Sequence, residues 1–235
     1  MKLSIVVAVY NEEKTIELVL DKLHNLNIPI EKEILVIDDG STDNTSNIVK
    51  IIFDSKKYES FKIYFKIPAN LGKASALRIG FALCSGDIIV TQDADLELEP
   101  SNISLLLEPI LSNKTEVVFG SRFYHKYPDS MKFEFKLINK ILTFLVNILF
   151  FSKITDEATA YKMFKRSVLK NITLTSSAFE YCPEITAKLL NRNYQIIEIP
   201  VSYTPRLQVK DKKIKWYDGF EAIFTLIKFR FAEFC

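Results

Sequence analysis

Cysteine is scarce here: Cys84, Cys182 and Cys235 are the only three in 235 residues. The count is odd and the spacing fits no metal-ligand pattern, which argues against both a disulfide-stapled scaffold and a zinc module. A reducing compartment fits better, with Cys84 and Cys182 as core or near-core side chains. Net charge is also scarce, +2 at neutral pH, too little to make nucleic acid the main partner. No long uninterrupted hydrophobic run occurs. The most apolar late stretch, Leu137 to Phe151, is broken by Asn139, Lys140, Thr143 and Asn147 and is too short to cross a bilayer unaided. Leu3 to Val9 leads into Asn11-Glu12-Glu13 with no small-residue cleavage site, so it reads as a strand and not as a signal peptide. No internal repeat or low-complexity linker divides the chain, and a single domain is expected. What remains is an ordinary globular composition, 48% hydrophobic and 26% charged, in a chain long enough to bury a full core.

Strand and helix patterns alternate through the first half. Leu3 to Val9 is a near-continuous apolar run suited to a central parallel strand. Glu12 to Leu26 carries Ile16, Val19, Leu20 and Leu23 at helical spacing. A strand over Glu33 to Ile37 ends in Asp38-Asp39-Gly40-Ser41-Thr42-Asp43, where Ser41, Thr42 or Asp43 can cap a helix bearing Ile48, Ile51 and Ile52. Phe61 to Ile67, Asp87 to Thr91 and Glu116 to Phe119 read as further strands, with helices from the Asn70-Leu71-Gly72-Lys73 turn to near Gly86 and over Ile103 to Leu111. Such alternation predicts an α/β fold, a mostly parallel sheet with helices on both faces. In the second half, Ala160 to Phe164 and Gln195 to Ile199 are expected strands, and Glu184 to Leu190 and Tyr217 to Phe231 expected helices. Lys136 to Phe151 predicts a helix with a narrow polar stripe (Lys136, Asn139, Lys140, Thr143, Asn147) and a broad apolar remainder, which either packs into the core or lies on a membrane surface.

The stretch Ile88-Ile89-Val90-Thr91-Gln92-Asp93-Ala94-Asp95-Leu96-Glu97 is the richest in chemistry. A buried-strand run ends in three acids two residues apart, and an extended backbone would send Asp93, Asp95 and Glu97 from one face toward a single point. Three hard oxygen donors there call for a divalent cation, Mg²⁺ or Mn²⁺, with a phosphate. A solvated acidic loop is the alternative for an isolated Asp-x-Asp. Three further loops fall at strand C-terminal ends, where open α/β sheets bind ligands: Tyr10-Asn11-Glu12, Asp38-Asp39-Gly40-Ser41 and Gly120-Ser121-Arg122. A ring for a base, acids for ribose hydroxyls and a metal-binding acid set together describe a nucleotide-diphosphate pocket.

These residues resemble a known family. Ala8-Val9-Tyr10-Asn11-Glu12-Glu13, Ile37 to Asp43, Asn70-x-Gly72-Lys73, Gly86-Asp87, Asp93 to Glu97 and Gly120-Ser121-Arg122-Phe123 are similar to family 2 glycosyltransferases of the GT-A, Rossmann-like fold. Thr155-Asp156-Glu157-x-Thr159-Ala160-Tyr161-Lys162, Glu198-Ile199-Pro200-Val201-x-Tyr203 and Arg206 through Gly219 resemble its dolichol-phosphate mannose/glucose synthase branch. The resemblance implies that Ala8, Tyr10, Glu12, Val36 and Asp38 hold the nucleoside. It places Asp93, Ala94 and Asp95 at the ribose and diphosphate, and makes Asp95 and Glu97 metal ligands; the last of these is often Gln in that branch. Arg122, Arg206 and Lys212 would clamp phosphates, so Asp93, Asp95, Arg122 and Arg206 form the implied catalytic set. For Arg206 and Lys212 a solvated basic loop is the competing reading.

The implied reaction is inverting, metal-dependent transfer of a hexose from GDP-mannose or UDP-glucose to a polyprenyl or dolichyl phosphate. Residues 1–123 would serve the nucleotide-sugar and 124–235 the acceptor. Amphipathic helices in the second half would rest on the cytoplasmic face of a membrane, with anchoring peripheral or through a partner. A sugar-hydroxyl acceptor would need a carboxylate base, for which Glu180 and Glu184 are the candidates; they are separated, not paired, which favours the phosphate acceptor. A non-catalytic nucleotide-sugar-binding scaffold has no chemical need to keep Asp93, Asp95, Arg122 and Arg206 together. An Asp-x-Asp phosphatase would need a Thr or Ser soon after the acids, and Leu96-Glu97 supply none.

Overall fold

The computed structural model describes residues 1–55, 61–128, 131–205 and 218–231. Strand β1 (Lys2–Val9) runs through the middle of the sheet, with Leu3, Ile5, Val6 and Val7 fully buried. Its β-branched, two-sided apolar sequence suits a strand covered on both faces. It pairs in parallel with β2 (Glu31–Asp38) and with β4 (Ile88–Asp93), and β3 (Phe61–Lys66) extends the sheet beyond β2. On the other side β6 (Lys162–Lys165) lies antiparallel between β4 and β5 (Val117–Ser121), and β7 (Ile196–Pro200) runs parallel to β5. The order is β3-β2-β1-β4-β6-β5-β7. The chain is therefore α/β with a mostly parallel sheet, and β6 and β7 from the second half complete the sheet begun by the first.

Helices cover both faces. One face carries α1 (Ile16–His24), α2 (Thr45–Asp54) and α4 (Asn102–Leu111), which bury Ile16, Val19, Val49, Ile103 and Leu106 against Leu3, Ile5 and Val7. The other carries α3 (Lys73–Leu83) and α7 (Tyr181–Asn191), whose Ala74, Leu77, Tyr181 and Ile185 share a core with Val6, Leu35 and Ile37. The short α6 (Arg166–Lys170) adds Val168. The helix expected from Glu12 begins at Ile16, because Glu12 to Thr15 form a turn in which Thr15 and Ile16 both donate to the Glu12 carbonyl. Asp43 caps α2 from outside, its carboxylate accepting from the Thr45 N–H at 3.0 Å.

Helix α5 (Phe133–Phe150) and α8 (Asp218–Phe231) pack against each other through Leu142, Val146, Ala222 and Leu226. Their orientation reverses what a polar stripe suggests. Asn139 is buried and donates to the Phe135 carbonyl, Thr143 accepts from the Glu157 N–H, and Asn147 bonds Ile154, all toward the protein. The outward stripe is apolar: Phe133, Leu137, Ile141, Phe144 and Ile148 on α5, Phe220, Phe224, Ile227 and Phe231 on α8. Among the described residues no helix is long and apolar enough to cross a membrane.

Candidate active site

The loops after β1 and β2 are tied into one unit. Asn11, at φ 49°, accepts from the Thr42 N–H at 2.8 Å and its own N–H donates to Ser41 Oγ at 3.0 Å. The Glu12 N–H donates to Thr45 Oγ1 at 2.9 Å. Tyr10, Glu12 and Ala8 line the cavity above this rim. Two of the expected nucleoside residues lie elsewhere. Val36 is mid-strand in the core, and Asp38 is fully buried, its carboxylate accepting from the Ser41 N–H, Ser46 Oγ and Tyr64 OH. Burial opposes its charge, but these donors hold its pKa below the usual range. The cavity-lining acid of the pair is Asp39. It accepts from the Leu71 N–H at 2.8 Å and the Gly72 N–H at 2.9 Å, while burial raises its pKa. Gly72 sits at φ 92° with its α-carbon hard against Ser177, a place no side chain fits.

The acidic stretch is a turn, not an extended run. β4 stops at Asp93; Leu96 adopts φ 61°, and Asp95 Oδ1 accepts from the Glu97 N–H at 3.1 Å. Strand alternation therefore does not aim the three acids, and no group of three or more acids, histidines or cysteines with metal-holding geometry exists among the described residues. Asp93 instead forms an ion pair with Lys73 from the start of α3. Tyr203 OH donates to Glu97 Oε2 at 3.1 Å, fixing that carboxylate. Ala94 is held by its carbonyl, which accepts from Thr15 Oγ1 at 2.7 Å. Asp95 and Glu97 both line the cavity. Two carboxylates facing one space match how Mg²⁺ or Mn²⁺ is held when diphosphate oxygens and water complete its shell, so this donor set fits a divalent cation.

Arg122, just after β5, is gripped by Asp156: its N–H, Nε and Nη2 donate to the carboxylate at 2.8–2.9 Å. Its guanidinium lies 4.7 Å from the Phe123 ring centre and 5.2 Å from that of Tyr203. Asp156 raises its pKa further against the pull of burial. The Asp156 segment is fixed in turn by Glu198 of β7, which accepts from the Thr155 and Asp156 N–H groups at 2.6 and 3.0 Å. Arg122 thus reaches the cavity wall with most of its fork occupied. Arg206 and Lys212 lie outside the described residues.

Together these loops enclose a cavity of about 410 Å³, of the size that takes a small ligand. Its rim is polar: Tyr10, Asp39, Lys73, Asp93, Asp95 and Arg122. Its far side is apolar: Met131, Phe135, Ile138, Leu142 and Ala222, from α5, α8 and the segment before α5. Neither expected base lines it. Glu180 accepts from the Ser177 and Ala178 N–H groups, and Glu184 is buried under Thr175, Ser176 and Lys188, which hold its pKa low.

The family model for glycosyl transferase family 2 matches residues 4–173. The chain belongs to that family. It is a glycosyltransferase, with a fold that matches GT-A structures. It is 28% identical over 215 residues to the dolichol-phosphate mannosyltransferase of Pyrococcus furiosus, covering 90% of this chain and 59% of that one. It is 28% identical to the UDP-N-acetylglucosamine–dolichyl-phosphate N-acetylglucosaminyltransferase of Methanococcus voltae, covering 97% of this chain and 96% of the relative. Among solved structures it resembles glucosyl-3-phosphoglycerate synthase from Mycobacterium tuberculosis in complex with Mn²⁺, UDP and glucosyl-3-phosphoglycerate. The TM-score is 0.75 at 20% identity, over 97% of this chain and 79% of that one. At that identity the likeness is one of fold.

Several residues of this glycosyltransferase's cavity went unassigned in the sequence. Lys73 stood in the Asn-x-Gly-Lys motif, but nothing local says that its ammonium crosses to Asp93. Glu157 and Tyr203 stand in later motifs, and Asp156 stands behind Arg122; only the fold brings β6, β7 and the strand-end loops to one rim. Asp39 was overshadowed by its neighbour Asp38; strand alternation sends one inward and the other to the rim.

Proposed function

We propose that this glycosyltransferase moves a hexose, with inversion, from a nucleotide-sugar such as GDP-mannose or UDP-glucose to a polyprenyl phosphate at a membrane surface. The observation that carries this reading is the pair α5 and α8. Their inner faces supply the apolar side of the cavity, and their outer faces present an apolar stripe to the surroundings. An acceptor with an ionic head and a long hydrocarbon tail needs both, a polar cavity opening beside a surface that meets lipid. Lys136, Lys140 and Lys228 on these helices, with Lys132 just before α5, add the positive charge that anionic headgroups attract. The names of the relatives, which transfer sugars to dolichyl phosphate, support the same acceptor class.

In this reading residues 1–123 hold the donor and 124–235 the acceptor. Tyr10 gives its ring to the base, Asp39 and Ala8 line the nucleoside end, and Lys73 holds the Asp93 carboxylate in place for the ribose. Asp38 and Val36 shape the loop from beneath it. Asp95 and Glu97 would hold the divalent cation. When bound, that cation supplies positive charge against the leaving diphosphate. Arg122, aligned by Asp156, adds a fixed cation on the opposite wall. A phosphate acceptor is already anionic and needs no base, in keeping with Glu180 and Glu184 lying off the cavity wall.

The test is transfer of radiolabel from GDP-mannose, UDP-glucose and UDP-N-acetylglucosamine into a short polyprenyl phosphate, with Mn²⁺, Mg²⁺ or EDTA. Label in the lipid phase that requires the cation and is lost in Asp95→Asn is expected. Full transfer in EDTA, or in Asp95→Asn, would remove the metal assignment; donor hydrolysis with no labelled lipid would remove the acceptor.

A further inference from the structure

The buried side-chain oxygens lacking any hydrogen-bond partner among the described residues are both carboxylate oxygens of Glu157 and the hydroxyl of Tyr181. All belong to residues on the wall of the same cavity. Leaving a buried polar group unpaired costs about 1–3 kcal/mol, more when it is charged, so native chains rarely tolerate it without a use. Here such groups gather where a ligand is expected.

We propose that Glu157 and Tyr181 form the subsite that reads the transferred sugar, with the Glu157 carboxylate accepting from neighbouring hydroxyls of the hexose. The proposal rests on the nucleotide-sugar reading above and names the part of the ligand these residues meet. Chemistry selects a sugar from the other parts, and with the ribose placed at Asp93 that sugar is the hexose. A diphosphate or an acceptor phosphate carries the same sign as the carboxylate and offers it no hydrogens. A polyprenyl tail has none to give. The base belongs at the opposite rim, by Tyr10 and Asp39. A pyranose ring presents hydroxyls on adjacent carbons, which match the two acceptor oxygens of one carboxylate. Ala158, Ala160 and Ala178 line the same wall and leave room for a ring.

Glu157 is fully buried, and the polar groups around it bond elsewhere. Lys162, the nearest cation, is fully buried but donates to the Glu157 backbone carbonyl at 2.9 Å and to Thr186 Oγ1 at 3.4 Å, with its ammonium 3.8 Å from the centre of the Phe119 ring. It lends Glu157 a field without capping its oxygens. Lys162, Arg122 and the neighbouring Thr186 hydroxyl lower its pKa and Asp156 raises it, though no donor meets hydrogen-bond geometry at either oxygen. Burial dominates and pushes the Glu157 carboxyl up to about 7.

Calorimetric binding of UDP, GDP, UDP-glucose and GDP-mannose, in the presence of Mn²⁺, to wild type, Glu157→Leu, Glu157→Gln and Tyr181→Phe tests this. Free nucleotide affinities are expected to stay within about twofold. Affinity for the preferred nucleotide-sugar should fall about tenfold or more in Glu157→Leu, and less in Glu157→Gln, which keeps one acceptor oxygen. Tyr181→Phe should repeat the selective loss, and the thermal midpoints of the variants should equal or exceed wild type, since an unpaired buried group has been removed. Equal losses for nucleotide and nucleotide-sugar, or no loss for either, would overturn the subsite. Lower turnover with unchanged donor affinity would also overturn it, marking Glu157 as a base. Failure of wild type to bind any nucleotide-sugar would overturn it together with the function it rests on.

Discussion

Glu33 is a fully buried acid far from the cavity, at the opposite end of the sheet. Its oxygens accept from Ser4 Oγ, the Ser85 N–H and Ser85 Oγ, and pair with Lys2 at 2.6 Å. Burial alone would raise its pKa; these partners take it down to about 2. A depressed carboxylate stabilises the fold at pH above its unfolded value near 4.5 and loses that contribution as pH falls toward 2. The shift is worth about 3 kcal/mol. Glu33→Gln should therefore be less stable than wild type in urea at pH 7, with the gap closing by pH 2; a gap independent of pH would contradict the assignment. Asp156 poses the opposite risk. Removing it strands the mostly buried Arg122 guanidinium, so Asp156→Ala should lose about 3–5 kcal/mol of unfolding free energy as well as turnover. Wild-type urea stability in that variant would mean that Arg122 finds another partner. None of this pairing was legible from spacing, since Glu33 with Ser85 and Arg122 with Asp156 are joined only by the sheet.

At the scale of elements, apolar periodicity located the strands and helices well, because α1, α2 and α4 each bury one stripe against one face of the sheet. It left the direction of α5 open between the core and a membrane surface. A polar stripe ordinarily marks the wet side of a helix. Here Asn139, Thr143 and Asn147 hydrogen-bond to Phe135, Glu157 and Ile154, while Phe133 and Phe144 face out. The same logic failed on the acids after β4, where the turn at Leu96 replaced the extended backbone that alternation requires. If the outward stripes of α5 and α8 meet lipid, replacing exposed apolar side chains there changes partitioning and not folding. Phe144 is 63% exposed and Phe224 68%. Burying each ring in lipid is worth about 1.5–3 kcal/mol, so Phe144→Asp with Phe224→Asp should lower binding to anionic polyprenyl-free vesicles more than tenfold. The thermal midpoint should stay within a few degrees. Vesicle binding unchanged in the double variant would place the membrane contact elsewhere.

For the whole molecule, the sequence order of motifs foretold a mostly parallel sheet and a ligand edge at its strand C-termini. It could not foretell that β6 would insert antiparallel between β4 and β5, because a four-residue strand carries no signal of its partners. That insertion brings Glu157 and the α5–α8 pair to the same cavity as Tyr10, Asp39 and Asp95. In the proposed reaction an anionic phosphate on a lipid enters from the α5–α8 side and attacks without a base. Initial transfer rates to polyprenyl phosphate and to the free polyprenol of equal chain length, with the same labelled donor and Mn²⁺, test this most directly. Labelling of the phosphate and none of the alcohol is expected, with Glu180→Gln as active as wild type. Labelling of the alcohol at a comparable rate would contradict it.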